Sequence, residues 1–65
     1  MPGPKKIGVA TADLSTGEQE YFFVYDEPCE AGTIAVRRAA AWSHNPNLPP
    51  MHFPRALFSA ITLHP

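Results

Sequence analysis

Four side chains of this 65-residue chain have the chemistry of metal ligands or of a nucleophile and its base: Cys29, His44, His52 and His64. Structural zinc sites usually take their ligands in pairs at short spacing, such as two cysteines separated by two residues. Here the histidines are eight and twelve positions apart, and only one cysteine is present. The spacing therefore predicts no metal site and no cofactor.

A Cys29–histidine pair would act in catalysis only if the fold brought the two side chains within hydrogen-bonding distance beside a substrate groove. Ligand pockets usually have a volume of roughly 300 Å³ or more, which a domain this small rarely offers. A lone cysteine is more often a small buried apolar residue. We therefore expect a protein without enzymatic activity.

The run Tyr21-Phe22-Phe23-Val24-Tyr25 is the most informative stretch of the chain. In a strand, successive side chains point to opposite faces, so Tyr21, Phe23 and Tyr25 share one face while Phe22 and Val24 share the other. Both faces are apolar, and a domain of this size buries only about 60% of the surface that its unfolded chain exposes. The run therefore predicts that Tyr21, Phe23 and Tyr25 contact a partner.

The basic residues suggest two uses for that aromatic face. Arg37 and Arg38 are expected to lie at its rim and to contact a protein partner, since arginine is enriched in interfaces. Lys5 and Lys6 suggest an alternative, because single-stranded nucleic acid is bound by aromatic stacking beside a positive groove. The sequence pI of about 6.2 is low for a dedicated nucleic-acid binder. Protein binding is therefore the preferred interpretation.

Length and composition indicate one small domain, residues 1–65, with a lead-in at residues 1–4 that has no regular structure. The formal net charge is -1, and charged residues make up 17% of the chain. A single cysteine excludes an internal disulfide, so association with another chain is the expected source of additional stability. A lone cysteine, together with the lack of a secretory signal or a membrane-spanning segment, predicts a cytoplasmic protein.

The N-terminal part of the chain predicts a β-hairpin, with strands at about 5–12 and 18–26. The segment between them, 13–17, contains Asp, Ser and Gly, which favour turns. Two registers are compatible with the pattern. One pairs Val9 with Phe22, and the other pairs Val9 with Tyr21, because register is weakly specified when both faces are apolar.

A helix is predicted at about 29–43, after Asp26-Glu27-Pro28, since an acidic residue and a proline suit a helix start. The alanines and arginines that follow have high helix propensity, and Trp42 would anchor the helix on the sheet. A rival interpretation makes residues 33–36 a strand and leaves a shorter helix after it. His44-Asn45-Pro46 would end the helix.

A proline-rich connector at 45–54 follows, which favours extended polyproline geometry, with Leu48, Met51 and Phe53 against the domain. Residues 55–63 match either a strand or a short helix. A third strand is favoured because an isolated hairpin is marginally stable in water. The predicted fold class is therefore α+β, with ββαβ preferred over ββαα.

Together these features predict a non-enzymatic protein-binding module that acts as an inhibitor, adaptor or accessory subunit of a larger assembly. The compact chain, rich in alanine and proline, is typical of a small bacterial or phage regulator. One alternative is a single-stranded nucleic-acid-binding protein that uses the strand aromatics. The other is a structural homodimer in which the sheet forms the symmetric interface.

Overall fold

Five β-strands form one antiparallel sheet in the computed structural model, which describes residues 4–39 and 49–64. The strand order is β4-β3-β2-β1-β5, so β2 is central and β4 and β5 are the edges. Most of the predicted lead-in lies outside the described residues. The strands are β1 (Lys5–Asp13), β2 (Gln19–Asp26), β3 (Thr33–Arg38), β4 (Met51–Pro54) and β5 (Ala60–Leu63).

The predicted hairpin is confirmed as β1 and β2, joined by a turn in which Gly17 has a φ of 90°. Both predicted registers are wrong over most of its length, because Val9 pairs with Phe23. A bulge between Lys6 and Gly8 shifts the pairing, so that Lys6 lies opposite Tyr25. A bulge adds one residue to one strand only, and the apolar pattern on both faces carries no signal for it.

The predicted helix at 29–43 is wrong, and with it the α+β class. Residues 33–38 form β3, and the described part of the chain contains no α-helix, only 3₁₀ geometry. The preceding turn includes Gly32 at a φ of 84°, which a helix does not accommodate. Ile34 and Val36 are β-branched and buried, and β3 pairs with a strand on each side. This tertiary pairing outweighs the local helix propensity of the alanines. Residues 40–43, including Trp42, lie outside the described residues.

The core lies on one face of the sheet, here called the core face. Its centre is Phe22, whose ring packs edge-on against Phe58 at 5.2 Å and against Phe53 at 6.3 Å between centroids. Such perpendicular contacts are favoured by the ring quadrupoles. The buried side chains of this core are Ala10, Ala12, Phe22, Val24, Ile34, Val36 and Phe58.

The connection from β4 to β5 replaces the predicted helix as the cover of the core face. It contains the 3₁₀ turn Arg55–Leu57, and residues 60–63 form β5, so the predicted strand is found in the second half of 55–63 and the predicted short helix is wrong. The Arg55 N–H donates to the Gly32 carbonyl at 2.7 Å, and the Ser59 N–H donates to the Thr11 carbonyl at 2.8 Å. These two bonds anchor the start of the connection next to β3 and its end on β1.

This short connection requires a coiled sheet. Pro54 pairs with Thr33, and Ala60 pairs with Thr11. Thr11 lies opposite Tyr21, and the β2–β3 register puts Thr33 level with the position just after β2, six residues farther along. In a flat sheet these registers would separate Pro54 and Ala60 by roughly 28 Å, from ~4.8 Å between strands and ~3.3 Å per residue. Six residues of chain span at most about 21 Å. The edges therefore curl toward each other around Phe22 and Phe58.

The predicted proline-rich connector ends in a strand. Residues 51–54 form β4, in which Phe53 packs against the core and Met51 is exposed. Residues 45–48 of the connector, including Leu48, lie outside the described residues. Among the described residues, no helix has the length and apolar character needed to cross a membrane.

Candidate functional site

The side of the sheet opposite Phe22 and Val24, here called the outer face, carries the predicted aromatic residues. Tyr21, Phe23 and Tyr25 alternate with the two core residues along β2 and therefore share this face. Tyr21 is 55% exposed, whereas Phe23 and Tyr25 are half-buried by their neighbours. The outer face thus presents one freely accessible ring and two rings that are held in place.

Two cations hold those rings through diagonal contacts. Lys6 pairs with Tyr25 across the strands, but its Nζ lies 3.9 Å from the centroid of the Phe23 ring. Arg37 pairs with Phe23, but its guanidinium carbon lies 5.3 Å from the centroid of the Tyr25 ring. Each cation therefore reaches past its cross-strand partner to the next ring. Both distances lie within the range of cation–π attraction.

The centre of the outer face is consequently both aromatic and positively charged. The acidic residues of this surface lie near the two ends of β2. At one end Asp13 of β1 lies opposite Gln19 and accepts a hydrogen bond from its side chain at 3.2 Å. At the other end Glu27, which follows β2, pairs with His52. Between those ends, the outer-face side chains of the described strands carry no negative charge. The electrostatic character of this surface is therefore set by Lys6 and Arg37.

Arg38 lies on the other side of the sheet from Arg37, because neighbouring residues of a strand point to opposite faces. Its Nε donates to Oε2 of Glu20 at 3.2 Å, and the Arg38 side chain is exposed while Glu20 is half-buried. Of the five predicted contact residues, the structure thus brings four to the outer face. Sequence reasoning placed Lys6 only in the nucleic-acid alternative, although the structure puts it beside Phe23 in the same cluster.

Two of the candidate metal ligands, Cys29 and His52, contact the same residue, Glu27. The Cys29 thiol donates to the Glu27 carbonyl at 3.2 Å, His52 pairs with the Glu27 side chain, and His64 follows β5 at the opposite edge. The described part of the chain contains no group of three or more His, Cys, Asp or Glu side chains placed to hold a metal ion. His44 lies outside the described residues.

A cavity of about 150 Å³ opens at one end of the core, where Ile7, Val24, Ile34 and Ile61 meet Cys29. This volume is about half of the ~300 Å³ at which small-molecule sites usually begin. The thiol in it is engaged with a backbone carbonyl. The cavity is therefore small for a substrate pocket, although its rim also includes Asp26, Glu27 and Arg55.

Comparison with protein families, with characterised proteins and with solved structures finds no match to this chain. The outer face is therefore the feature on which a functional assignment rests.

Proposed function

We propose that this chain is a non-enzymatic binding module that docks another protein through its outer face. The observation that supports this is the paired arrangement of Lys6 over Phe23 and Arg37 over Tyr25. Tyrosine and arginine are over-represented among the residues that dominate binding energy at interfaces. Side chains that are already held in position lose less conformational entropy on binding. Four such side chains lie on adjacent positions of three strands, beside the exposed ring of Tyr21.

The charge of the outer face selects the chemistry of the partner. Lys6 and Arg37 carry positive charge at its centre, and the acidic groups are engaged at its ends. A complementary partner surface presents carboxylates around an apolar contact, which steers association and disfavours cationic partners. Covering a functional surface of that partner would make the chain an inhibitor, and bridging two proteins would make it an adaptor or accessory subunit.

Neighbouring arginines on opposite faces provide a matched test. Arg37→Ala removes a cation from the outer face, whereas Arg38→Ala removes the same group from the other side of the sheet. The immobilised chain is exposed to nuclease-treated extract of its native host, and captured proteins are quantified by mass spectrometry. We expect one protein to be retained by the wild type and by Arg38→Ala, and to be lost with Arg37→Ala.

A second matched pair tests the aromatic contribution without disturbing the core. Tyr21 and Leu57 are both more than half exposed, but Leu57 lies in the 3₁₀ turn on the core side of the sheet. Tyr21→Ala should abolish retention of the same protein, and Leu57→Ala should leave it unchanged. Equal retention by all four variants would show that the outer face does not contact the partner.

Single-stranded nucleic acid is the second candidate, because the same cations and rings would suit phosphates and bases. With Lys6 and Arg37 as the phosphate contacts, the logarithm of the binding constant should fall with the logarithm of salt with a slope of about −1.4. Fluorescence anisotropy of labelled oligonucleotides measures this slope. Absence of binding at low salt would eliminate the nucleic-acid candidate and leave the protein-binding proposal untouched.

A further inference from the structure

The two edges of the sheet differ in the hydrogen-bond donors that they turn outward. In an antiparallel pair, the N–H and C=O groups of alternate residues point toward the neighbouring strand and away from it. The Arg55 N–H donates to the Gly32 carbonyl, which sets this alternation on β4. Phe53 and Met51 then point toward β3, whereas Pro54 and His52 point outward.

A proline removes one of the two outward donors of β4. Pro54 occupies an outward position and has no N–H. His52 is left as the one outward donor of β4. Proline at edge positions is a known means of preventing pairing with another chain. This edge of the sheet is therefore a poor template for a further strand.

The β5 edge has the opposite character. The His64 N–H donates to the Ile7 carbonyl at 2.7 Å, so Thr62 and Ala60 also point toward β1. Ile61 and Leu63 then turn both their N–H and their C=O groups outward. β5 contains no proline and no charged residue, and the Leu63 side chain is 53% exposed. Among the described strands only β1 pairs with β5, so the outer edge of β5 has no strand partner.

We propose that β5 pairs with β5 of a second copy of this chain, antiparallel and about a two-fold axis at Thr62. In this register Ile61 lies opposite Leu63 of the partner subunit, and Leu63 lies opposite Ile61 of the partner subunit. The outward groups of both pairs then form four N–H···O=C bonds. The symmetric register therefore uses each outward donor and acceptor of the two residues, as an isologous interface requires.

The side chains fit this register as well as the backbone does. Ile61 and Leu63 are both on the core face, so the pairing brings four apolar side chains together and covers the exposed Leu63. On the outer face Thr62 lies opposite Thr62 of the partner subunit, a favourable cross-strand pair. β5 contributes no charge to this contact, and the net charge of each chain is only -1. Neither local nor long-range repulsion therefore opposes the second copy.

The dimer would join two sheets edge to edge and place both outer faces in one continuous ten-stranded sheet. Two copies of the cluster formed by Lys6, Phe23, Tyr25 and Arg37 would then be held at a fixed separation. This increases avidity for a partner that carries two matching surfaces. The pairing itself does not depend on what the outer face binds, so its test uses the purified chain alone.

The first test is a charge complementation at the two-fold axis. Sedimentation velocity and native mass spectrometry of the wild type, from micromolar to millimolar concentration, should show a monomer–dimer equilibrium. Thr62→Lys or Thr62→Glu places like charges directly opposite each other and should raise the dissociation constant at least tenfold. Mixing the two variants should restore a dimer with the mass of one copy of each. Thr16→Lys makes the same change in the exposed hairpin turn and should leave the dimer unaffected.

The second test reports the register. In a Cys29→Ser background, Thr62→Cys should form an intermolecular disulfide on mild oxidation, because Cα atoms of such a pair lie about 4.5 Å apart. Ala60→Cys should not form one. Ala60 lies two residues from the axis in each chain, so the two copies of this position are separated by roughly 13 Å along the strands. A strict monomer up to millimolar concentration, a dimer unchanged by Thr62→Lys, or equal crosslinking at both positions would each overturn the proposal.

Discussion

Phe58 lies edge-on against Phe22, with ring centroids 5.2 Å apart and an angle of 80° between the ring planes. Phe22 belongs to the central strand, and Phe58 belongs to the connection that passes from one edge of the sheet to the other. This contact therefore joins the central strand to the segment that links the two edge strands. It encloses the core of a chain whose described residues contain no α-helix to cover the sheet.

Truncation of Phe58 should remove much of the stability of the fold. Phe58→Ala deletes a buried ring, which typically costs about 3–5 kcal/mol. A domain of this length has a free energy of unfolding of roughly 3–10 kcal/mol, so the substitution should remove a large share of it. Urea denaturation followed by circular dichroism measures the loss.

Leu57 provides the control for this prediction, because it precedes Phe58 in the chain but is 53% exposed. Leu57→Ala should change the free energy of unfolding by no more than about 0.5 kcal/mol. If Phe58→Ala and Leu57→Ala unfolded at the same urea concentration, the connection would not contribute to the core as described.

Gly8 allows β5 to approach β1. A Cβ atom at this position would lie 2.3 Å from the Thr62 carbonyl oxygen and 3.0 Å from the Leu63 Cα. These are backbone atoms, which cannot move without displacing the strand. We expect Gly8→Ala to destabilise the fold by about 1–3 kcal/mol, the usual cost of overpacking. Hydrogen exchange of the His64 amide, which bonds to Ile7, should be accelerated.

Gly17→Ala is the matched substitution for this measurement. An added Cβ at Gly17 has no heavy atom within 4 Å, but its φ of 90° strains a residue with a side chain. The variant should lose about 1–2 kcal/mol from backbone strain alone. Its His64 amide should be accelerated no more than the other amides of the sheet, because the strain at Gly17 is remote from β5. Selective acceleration of that amide by both substitutions would contradict the assigned role of Gly8.

Lys6 should stabilise the outer face through the Phe23 ring. Lys6→Met keeps the aliphatic length of the side chain and removes the charge, so it should cost about 0.5–1 kcal/mol of cation–π attraction. Lys6→Arg should retain that attraction. A double-mutant cycle with Phe23→Leu isolates the interaction energy between Lys6 and Phe23. Once the ring is removed, Lys6→Met should cost little further stability. A coupling energy of zero in the cycle would show that the 3.9 Å approach contributes nothing to stability.

The extent to which the sequence predicts this fold depends on whether each feature is local. Tyr21, Phe23 and Tyr25 share a face in either predicted register, because only the parity of their positions matters. The register itself, with Val9 opposite Phe23, depends on the bulge after Lys6, and the apolar pattern does not encode that bulge.

The error at β3 also changes the candidate site. A helix would bring Arg37 and Arg38 to neighbouring positions on one solvated side, whereas a strand separates them onto opposite faces. Residues 33–38 adopt the strand because β2 and β4 pair with it on both sides, and these contacts come from distant segments. Intrinsic propensity contains no information on such contacts, so the position of Arg37 over Tyr25 required the tertiary structure.

Pro54 should limit the size of any assembly that this chain forms. It is exposed and removes an outward N–H from the β4 edge, so Pro54→Ala would supply a donor next to that of His52. With both edges able to pair, association would no longer close at two copies, and open chains of sheets would grow. Light scattering should detect species larger than a dimer that increase with concentration. Pro28→Ala, in the exposed turn between β2 and β3, should leave the size distribution unchanged. Identical distributions for the two variants would show that proline is not what protects this edge.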